Sequence, residues 1–262
     1  YGAGTFYGIA SDNQYEETRR FVASVGSNIR PLPNNVLTLS PTIYWQRNWD
    51  HYQWKRGMTG GNKGENYHRT DVYGGALNTV VNWALGKTAL GVDLRKELIY
   101  STAYGETLPA HQWKTIHGSD RMYERRGERT NTSLFLEHNV VLQHFTLSAG
   151  LLANHNTWLS GGLHFYPGVD LAWRPNAQWK VFASWNKALR LPTYTDLYIS
   201  NRAQMGDQNL NPERVNTYKL GARYRTTALQ TQVNAFYSNG RDMIDWVFET
   251  SASTRYHALN IG

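Results

Sequence analysis

The sequence predicts an all-β protein, an antiparallel transmembrane β-barrel with about twelve strands present. Three observations predict it. Apolar and polar residues alternate with period two in one segment after another. The alternating runs last roughly ten to twelve residues, about twice a strand of a globular protein. The connections between them alternate strictly between short and long. Consecutive antiparallel strands put alternate connections at opposite ends, so one end carries tight turns and the other long loops.

Taken in order, segments 18–30, 36–47, 72–84, 88–101 and 129–138 alternate, though unevenly. The later ones are clean. Phe145, Leu147, Ala149 and Leu151 alternate with His144, Thr146, Ser148 and Gly150; Phe165, Val169, Leu171 and Trp173 oppose His164, Asp170 and Arg174. Trp179, Val181, Ala183 and Trp185 alternate with Lys180, Ser184 and Asn186. Tyr218, Leu220, Ala222 and Tyr224 alternate with Lys219, Gly221, Arg223 and Arg225, and Leu229, Val233, Ala235 and Tyr237 with Gln230, Gln232, Asn234 and Ser238. The short connections fall near 31–35, 85–87, 138–142, 175–178 and 226–227, and the long ones near 48–70, 102–128, 155–163, 189–214 and 240–256. Loops 102–128 and 189–214 are therefore expected at one end of the molecule.

Composition agrees with faces of unlike character. The chain has 262 residues, 40% of them hydrophobic, yet it holds 10 Trp and 17 Tyr and carries a net charge of +7. A barrel needs an apolar outward face only, so its average stays polar. Trp and Tyr collect where strands cross the lipid–water boundary. Trp173, Trp179 and Trp185 lie on the apolar parity and are read as a girdle near a short turn. No apolar run is long enough for a transmembrane helix, the aromatics argue against disorder, and with no cysteine there is neither a disulfide framework nor a Cys-based metal site. The bases are dispersed, Arg47, Lys55, Arg56, Lys63 and Arg69 among them. They suit anionic lipopolysaccharide or the lumen rather than nucleic acid.

The segment 190–221 is more specific. It reads Arg190-Leu-Pro192-Thr-Tyr194-Thr-Asp196-Leu-Tyr198, then Gly206-Asp-Gln-Asn209-Leu210-Asn-Pro212-Glu213, then Tyr218-Lys-Leu-Gly221. This resembles the signature of TonB-dependent outer-membrane receptors, with Lys219 where the family usually has Glu and Asp207 where it often has Asn. The prolines remove donors and force extended backbone, so they belong outside central ladders. Arg190 and Glu213 are expected to tie the loop ends to neighbouring strands, and the motif as a whole is read as structural. Shorter runs resemble vitamin B12 receptors, especially the Bacteroidetes-type branch: Tyr1 to Tyr7, Asn13 to Arg19, and Asn66 to Val72.

The resemblance implies a 22-stranded barrel with a plugged lumen, of which residues 1–262 would be a barrel segment without the plug domain or the C-terminal strands. It implies active uptake of a scarce large nutrient, cobalamin or a related corrinoid, energised by TonB acting through the absent plug. The other readings are a siderophore or haem receptor, a SusC-like glycan importer, a passive porin and an outer-membrane hydrolase. Expected partners are TonB, a cobalamin-like or metal-chelate substrate, outer-membrane lipid and lipopolysaccharide, with a surface lipoprotein as a further candidate and no nucleic acid.

No catalytic residue is assigned, because no Gly-x-Ser-x-Gly elbow occurs. No cofactor is expected. No metal site is assigned either, because His111 and His117 lack a third ligand of defined spacing, no His-Glu-x-x-His or EF-hand pattern occurs, and no acidic cluster suggests a calcium loop. Substrate-binding candidates come from the long loops, where rings lie on a planar macrocycle and bases meet amide or phosphate oxygens. They are Trp113, His117, Arg121, Tyr123, Arg126 and Tyr194. Asn131-Thr-Ser133 matches a glycosylation acceptor, which means little in a bacterial strand.

Overall fold

The computed structural model describes residues 13–57, 64–159, 162–201, 203–250 and 252–262. The Tyr1 to Tyr7 resemblance and Lys63 lie outside the described residues. The strands are β1 (Tyr15–Gly26), β2 (Leu37–Gln53), β3 (Glu65–Trp83), β4 (Gly86–Ser101), β5 (Glu106–Thr107), β6 (Lys114–Thr115), β7 (Met122–Tyr123), β8 (Arg125–Val141), β9 (Phe145–Asn156), β10 (His164–Trp173), β11 (Trp179–Arg190), β12 (Gln204–Met205), β13 (Glu213–Arg225), β14 (Gln230–Arg241), β15 (Met243–Val247) and β16 (Tyr256–Ile261), with one short helix, α1 (Tyr194–Tyr198). Among the described residues no helix is long and apolar enough to cross a membrane.

The long strands form one sheet in the order β1-β2-β3-β4-β8-β9-β10-β11-β13-β14, and β5 joins it beside β8. Every neighbouring pair along this path is antiparallel. It is an up-and-down meander, so loops 102–124 and 191–212 do lie at the same end. The remaining short strands make a three-stranded sheet, β12-β16-β15, and a β6-β7 pair, both in the loops. The chain after β14 thus folds back over loop 191–212 instead of continuing the wall.

The tight turns close on local chemistry. Asn34 and Asn35 take φ values of 56° and 55° in the β1–β2 turn, a left-handed conformation that Asn tolerates. In the β10–β11 turn, Asn176 Oδ1 accepts from the backbone N–H groups of Gln178 and Trp179 at 3.1 and 2.9 Å. This Asx turn substitutes a side chain for the missing ladder partner.

One face of the sheet is apolar. Leu77, Leu90, Leu134, Leu136 and Leu151 line a shallow groove on it and stay largely exposed. That is ordinary for a surface whose solvent is lipid. On the opposite face Gly74, Gly91 and Gly221 stand directly across from Tyr44, Phe135 and Phe182. Each ring lies where the glycine's Cβ would be. Glycine is required there because the aromatic covers the partner backbone.

Two differences from the sequence reading have a physical cause. First, Trp173 and Trp179 flank the β10–β11 turn, but Trp185 does not belong with them. It lies six residues further along β11, about 20 Å away along the strand. There it stands in a second row, with Val169, Tyr218 and Tyr237 directly opposite one another across β10, β11, β13 and β14. The two rows bound the apolar band on either side, as paired interfacial girdles do. Second, β2 and β3 reach 17 and 19 residues, well into the region 48–70 read as loop. A strand of that length spans about 60 Å, roughly twice the hydrocarbon core. Beyond the membrane the outward face no longer has to be apolar, so its alternation fades. There Asp71, 1% exposed, is paired with Arg47 at 2.5 Å and Arg69 at 3.4 Å and accepts from Trp45 Nε1 at 3.1 Å.

Candidate ligand-facing site at the loop end

The wall itself has little core; the buried side chains gather at the loop end in two clusters on opposite sides of the sheet. On the polar side the centre is Arg129. Its Nε donates to Glu97 at 2.5 Å and its Nη1 donates to the Pro192 carbonyl at 2.8 Å. Its guanidinium lies 4.8 Å from the Trp158 ring centre and 5.4 Å from that of Tyr194. Four elements meet on this cation: β4, β8, the β9–β10 loop and the loop after β11. Trp158 meets Tyr194 edge-on at 4.9 Å, and its Nε1 donates to the Glu128 carbonyl. Burial pushes the Tyr194 phenol above its ordinary pKa.

Tyr194 sits where it does because Gly127 has no side chain; a Cβ there would lie 2.7 Å from the ring. The motif around it is tightly tied. Thr193 and Asp196 form a reciprocal capping box at the start of α1, with Thr193 N–H to Asp196 Oδ2 at 2.9 Å and Asp196 N–H to Thr193 Oγ1 at 3.1 Å. Arg190 and Glu213, opposite each other in the β11–β13 register, make a two-pronged ion pair of 2.7 and 2.5 Å. Arg190 also reaches Asp196 at 3.3 Å. Leu197 and Leu210 are buried with Ala258 of β16, and Tyr198 packs on them. Pro192 and Pro212 are buried just outside the strands, where no ladder needs their nitrogen. Gly221 takes the Phe182 ring.

Beside this hub, Asn131, Asn154 and Asn156 form a buried carboxamide ladder: Asn154 and Asn156 Nδ2 donate to Asn131 Oδ1 at 3.1 and 3.2 Å. Asn131, inconspicuous in sequence as part of a glycosylation-like triplet, is its acceptor. A cleft of about 210 Å³ opens between the ladder and the loops, lined by Arg129, Asn156, Trp158, Pro192, Tyr198 and Gln208. Further round, Tyr104 stacks on His68 at 4.4 Å, and burial raises its phenol while the neighbouring Thr195 side chain opposes the rise. Loops 102–124 and 191–212 approach each other here.

The predicted binding residues divide between the two sides. Tyr194 belongs to the polar-side hub. Arg121, Tyr123 and Arg126 come together on the other side, over the outer flank of β3, β4 and β8. Tyr123 is 4% exposed and packs with Tyr100 and Ile116. Arg121 donates to the Glu65 carbonyl at 2.6 Å, and Arg126 pairs with Glu128. Trp113 donates its Nε1 to the Leu108 carbonyl at 2.9 Å, and His117 is exposed at the loop tip. Sequence reasoning missed Arg129, Trp158 and the Asn ladder. The one signal of Arg129 and the asparagines was polar residues recurring at every second position, which a strand facing water also shows; Trp158 lies in the β9–β10 loop, outside that pattern.

A long-stranded meander with an apolar band, two aromatic rows and elaborate loops at one end defines the wall of an outer-membrane β-barrel. Its sequence matches the family described as TonB dependent receptor-like, beta-barrel, over residues 1–262, and the chain belongs to that family, whose members are Gram-negative outer-membrane proteins. It is 30% identical to the vitamin B12 transporter BtuB of Vibrio vulnificus (strain YJ016) over 92 residues, 35% of this chain and 13% of that protein. In structure it resembles a double mutant of the Serratia marcescens hemophore receptor HasR in complex with its hemophore HasA and heme (TM-score 0.72, 14% identity, 96% of this chain and 45% of that one). It also resembles a mutant of the Pseudomonas aeruginosa ferric enterobactin receptor PfeA (0.67, 17%, 94% and 39%) and the Neisseria meningitidis iron transporter FrpB (0.65, 18%, 94% and 39%). The chain therefore spans less than half the length of these solved relatives, and at such identities the likeness is one of fold.

Proposed function

We propose that this chain forms part of the wall and outer vestibule of a receptor that takes up a scarce large nutrient through TonB. The observation that carries this is the hub at Arg129. Tyr194, Trp158 and the Asn ladder cluster on the polar side of the wall, beside a cleft that opens among the long loops. Aromatic faces suit a planar macrocycle, and carboxamides suit its amide periphery. A corrinoid of the cobalamin type is the preferred substrate, supported by the partial similarity to a vitamin B12 transporter and by the strand motifs of that branch. Trp113, His117, Arg121 and Tyr123 would then contribute only if loop 102–124 swings over the vestibule on binding, whereas Arg126, fixed in β8, stays on the outer flank. The chain's role is transport without bond-making, so it is not an enzyme. TonB would act through the plug domain, a surface lipoprotein is a further candidate partner, and the apolar band faces lipid.

A ferric chelate or haem is the second reading, favoured by the names of the structural relatives. Equilibrium binding to the purified full-length receptor separates the two: cyanocobalamin is expected to bind, with ferric enterobactin and haem as competitors. Tight binding of either iron compound without cobalamin binding would replace the substrate. Uptake that persists without TonB would overturn active transport.

A further inference from the structure

Outside the site just described, the wall has a seam. The β10–β11 register runs from Trp173 opposite Val181 to Gly168 opposite Asn186 and stops there, although both strands go on toward the loops. Beyond that rung β10 stays paired with β9 as far as His164 opposite Asn154, and β11 stays paired with β13 as far as Arg190 opposite Glu213. Among the described residues no rung joins 164–167 to 187–190. The open stretch corresponds to about 13 Å along the strand. Its last rung lies one residue beyond Trp185, so the seam starts at the second aromatic row and runs up to the loops. The neighbouring β8–β9 pair ends differently. Above its last rung, Asn131 opposite Asn156, the Thr157 N–H donates to the Thr130 carbonyl at 3.1 Å.

Two residues characterise the seam. Pro167 has no N–H to give a ladder, and proline inside sheets belongs to edges and bulges, so β10 is locally an edge in the middle of a wall. Tyr166 is 5% exposed, and Lys187 Nζ lies 5.8 Å from its ring centre. By register Tyr166 leaves β10 from the polar face, opposite Leu152, whereas Lys187 shares the lipid-facing parity of Trp185. In a closed ladder the two side chains would stand on opposite faces. They meet because the ring enters the gap. Above it the two sides are bridged by Arg129 Nη1 on the Pro192 carbonyl at 2.8 Å, and by Trp158 against Tyr194 and Tyr198 at 4.9 and 6.4 Å. A segment that lacks ladder hydrogen bonds opens at lower free energy than the rest of its fold.

We propose that the seam is a hinge line in the wall. Below Gly168 the strands stay paired; above it the block of β11, α1 and β13 swings away from β8, β9 and β10 and opens a side window beneath the cleft, with the Tyr166 ring as its seal. This rests on the register of the wall and not on the nutrient. The test is continuous-wave electron paramagnetic resonance on the full-length receptor in lipid nanodiscs. One spin-label pair, Phe165→Cys with Leu189→Cys, straddles the seam. The other, Leu171→Cys with Ala183→Cys, sits on facing residues of the paired half. The paired-half labels are expected to give a single dipolar-broadened spectrum. The seam labels should add an unbroadened fraction of up to about 10%, which Tyr166→Ala raises about fivefold. Lys187→Gln, which removes only the cation from the ring, should raise it about twofold and serves should Tyr166→Ala fail to fold. The proposal is overturned by a seam spectrum that matches the paired half, by one that is unbroadened throughout, or by an unbroadened fraction that neither variant raises. No nutrient enters the readout, so failure of the substrate reading leaves the result intact.

Discussion

Arg190 ends one strand and Glu213 begins the next, and their side chains close the loop between them with a two-pronged ion pair of 2.7 and 2.5 Å. Glu213 Oε1 also accepts from the Ile244 N–H at 2.9 Å, so the same carboxylate anchors the segment that folds back after β14. Glu213→Ala therefore leaves a cation and a backbone donor without partners. The Arg190 side chain is 45% exposed, so solvent screens part of the pair. The expected loss is about 1–2 kcal/mol, with early proteolytic cleavage in 191–212. Limited proteolysis and urea unfolding in detergent would check it; a cleavage pattern like that of the parent would mean the clamp is not what orders the loop.

Arg129 and Glu97 are both nearly buried, at 12% side-chain exposure each. Removing one charge strands the other. Glu97→Gln is expected to cost roughly 3 kcal/mol. It should also alter Trp158 fluorescence, since the guanidinium held by Glu97 lies on that ring. An unchanged unfolding midpoint would contradict the keystone role given to this cation.

Gly221 accommodates the Phe182 ring directly across the β11–β13 pair. Gly221→Ala should destabilise the barrel by about 1–3 kcal/mol through forced displacement of the ring. Adding Phe182→Ala should recover part of that loss, because it removes the clash. A double-mutant cycle measures the coupling; purely additive effects would refute it.

Trp179 and Trp185 occupy opposite edges of the apolar band. In variants keeping one tryptophan each, a membrane-impermeant quencher on the outer side is expected to quench Trp185 and spare Trp179. Equal quenching of both would mean that the band does not lie between them.

Burial raises the Tyr194 phenol above its ordinary value of 10.0. The unfolded chain therefore releases this proton first. The contribution is constant below about pH 9, and stability falls as pH rises through and beyond the ordinary value. The urea midpoint should drop between about pH 9 and about pH 11, and drop less in Tyr194→Phe. An equal drop in both would exclude Tyr194 as its source.

Sequence alone determined the wall. Period-two alternation is a property of the strand itself, because successive side chains leave opposite faces. The short–long order of connections then follows from antiparallel pairing, so the shared end of loops 102–124 and 191–212 was legible before any coordinates. The motif from Arg190 to Gly221 was legible as well, since its prolines and glycines have fixed backbone demands. Only the tertiary structure decided what lies behind those loops. Arg129 looks in sequence like any polar residue on an inward parity, and Tyr123 like any loop aromatic. That the first is ringed by Trp158, Tyr194 and Pro192, and the second buried on the outer flank, depends on distant segments meeting. Trp185 shows the same limit: parity gave its face, but its height on the barrel came from the register with Tyr218 and Tyr237. Parity is local, whereas register and loop packing are set by partners many residues away.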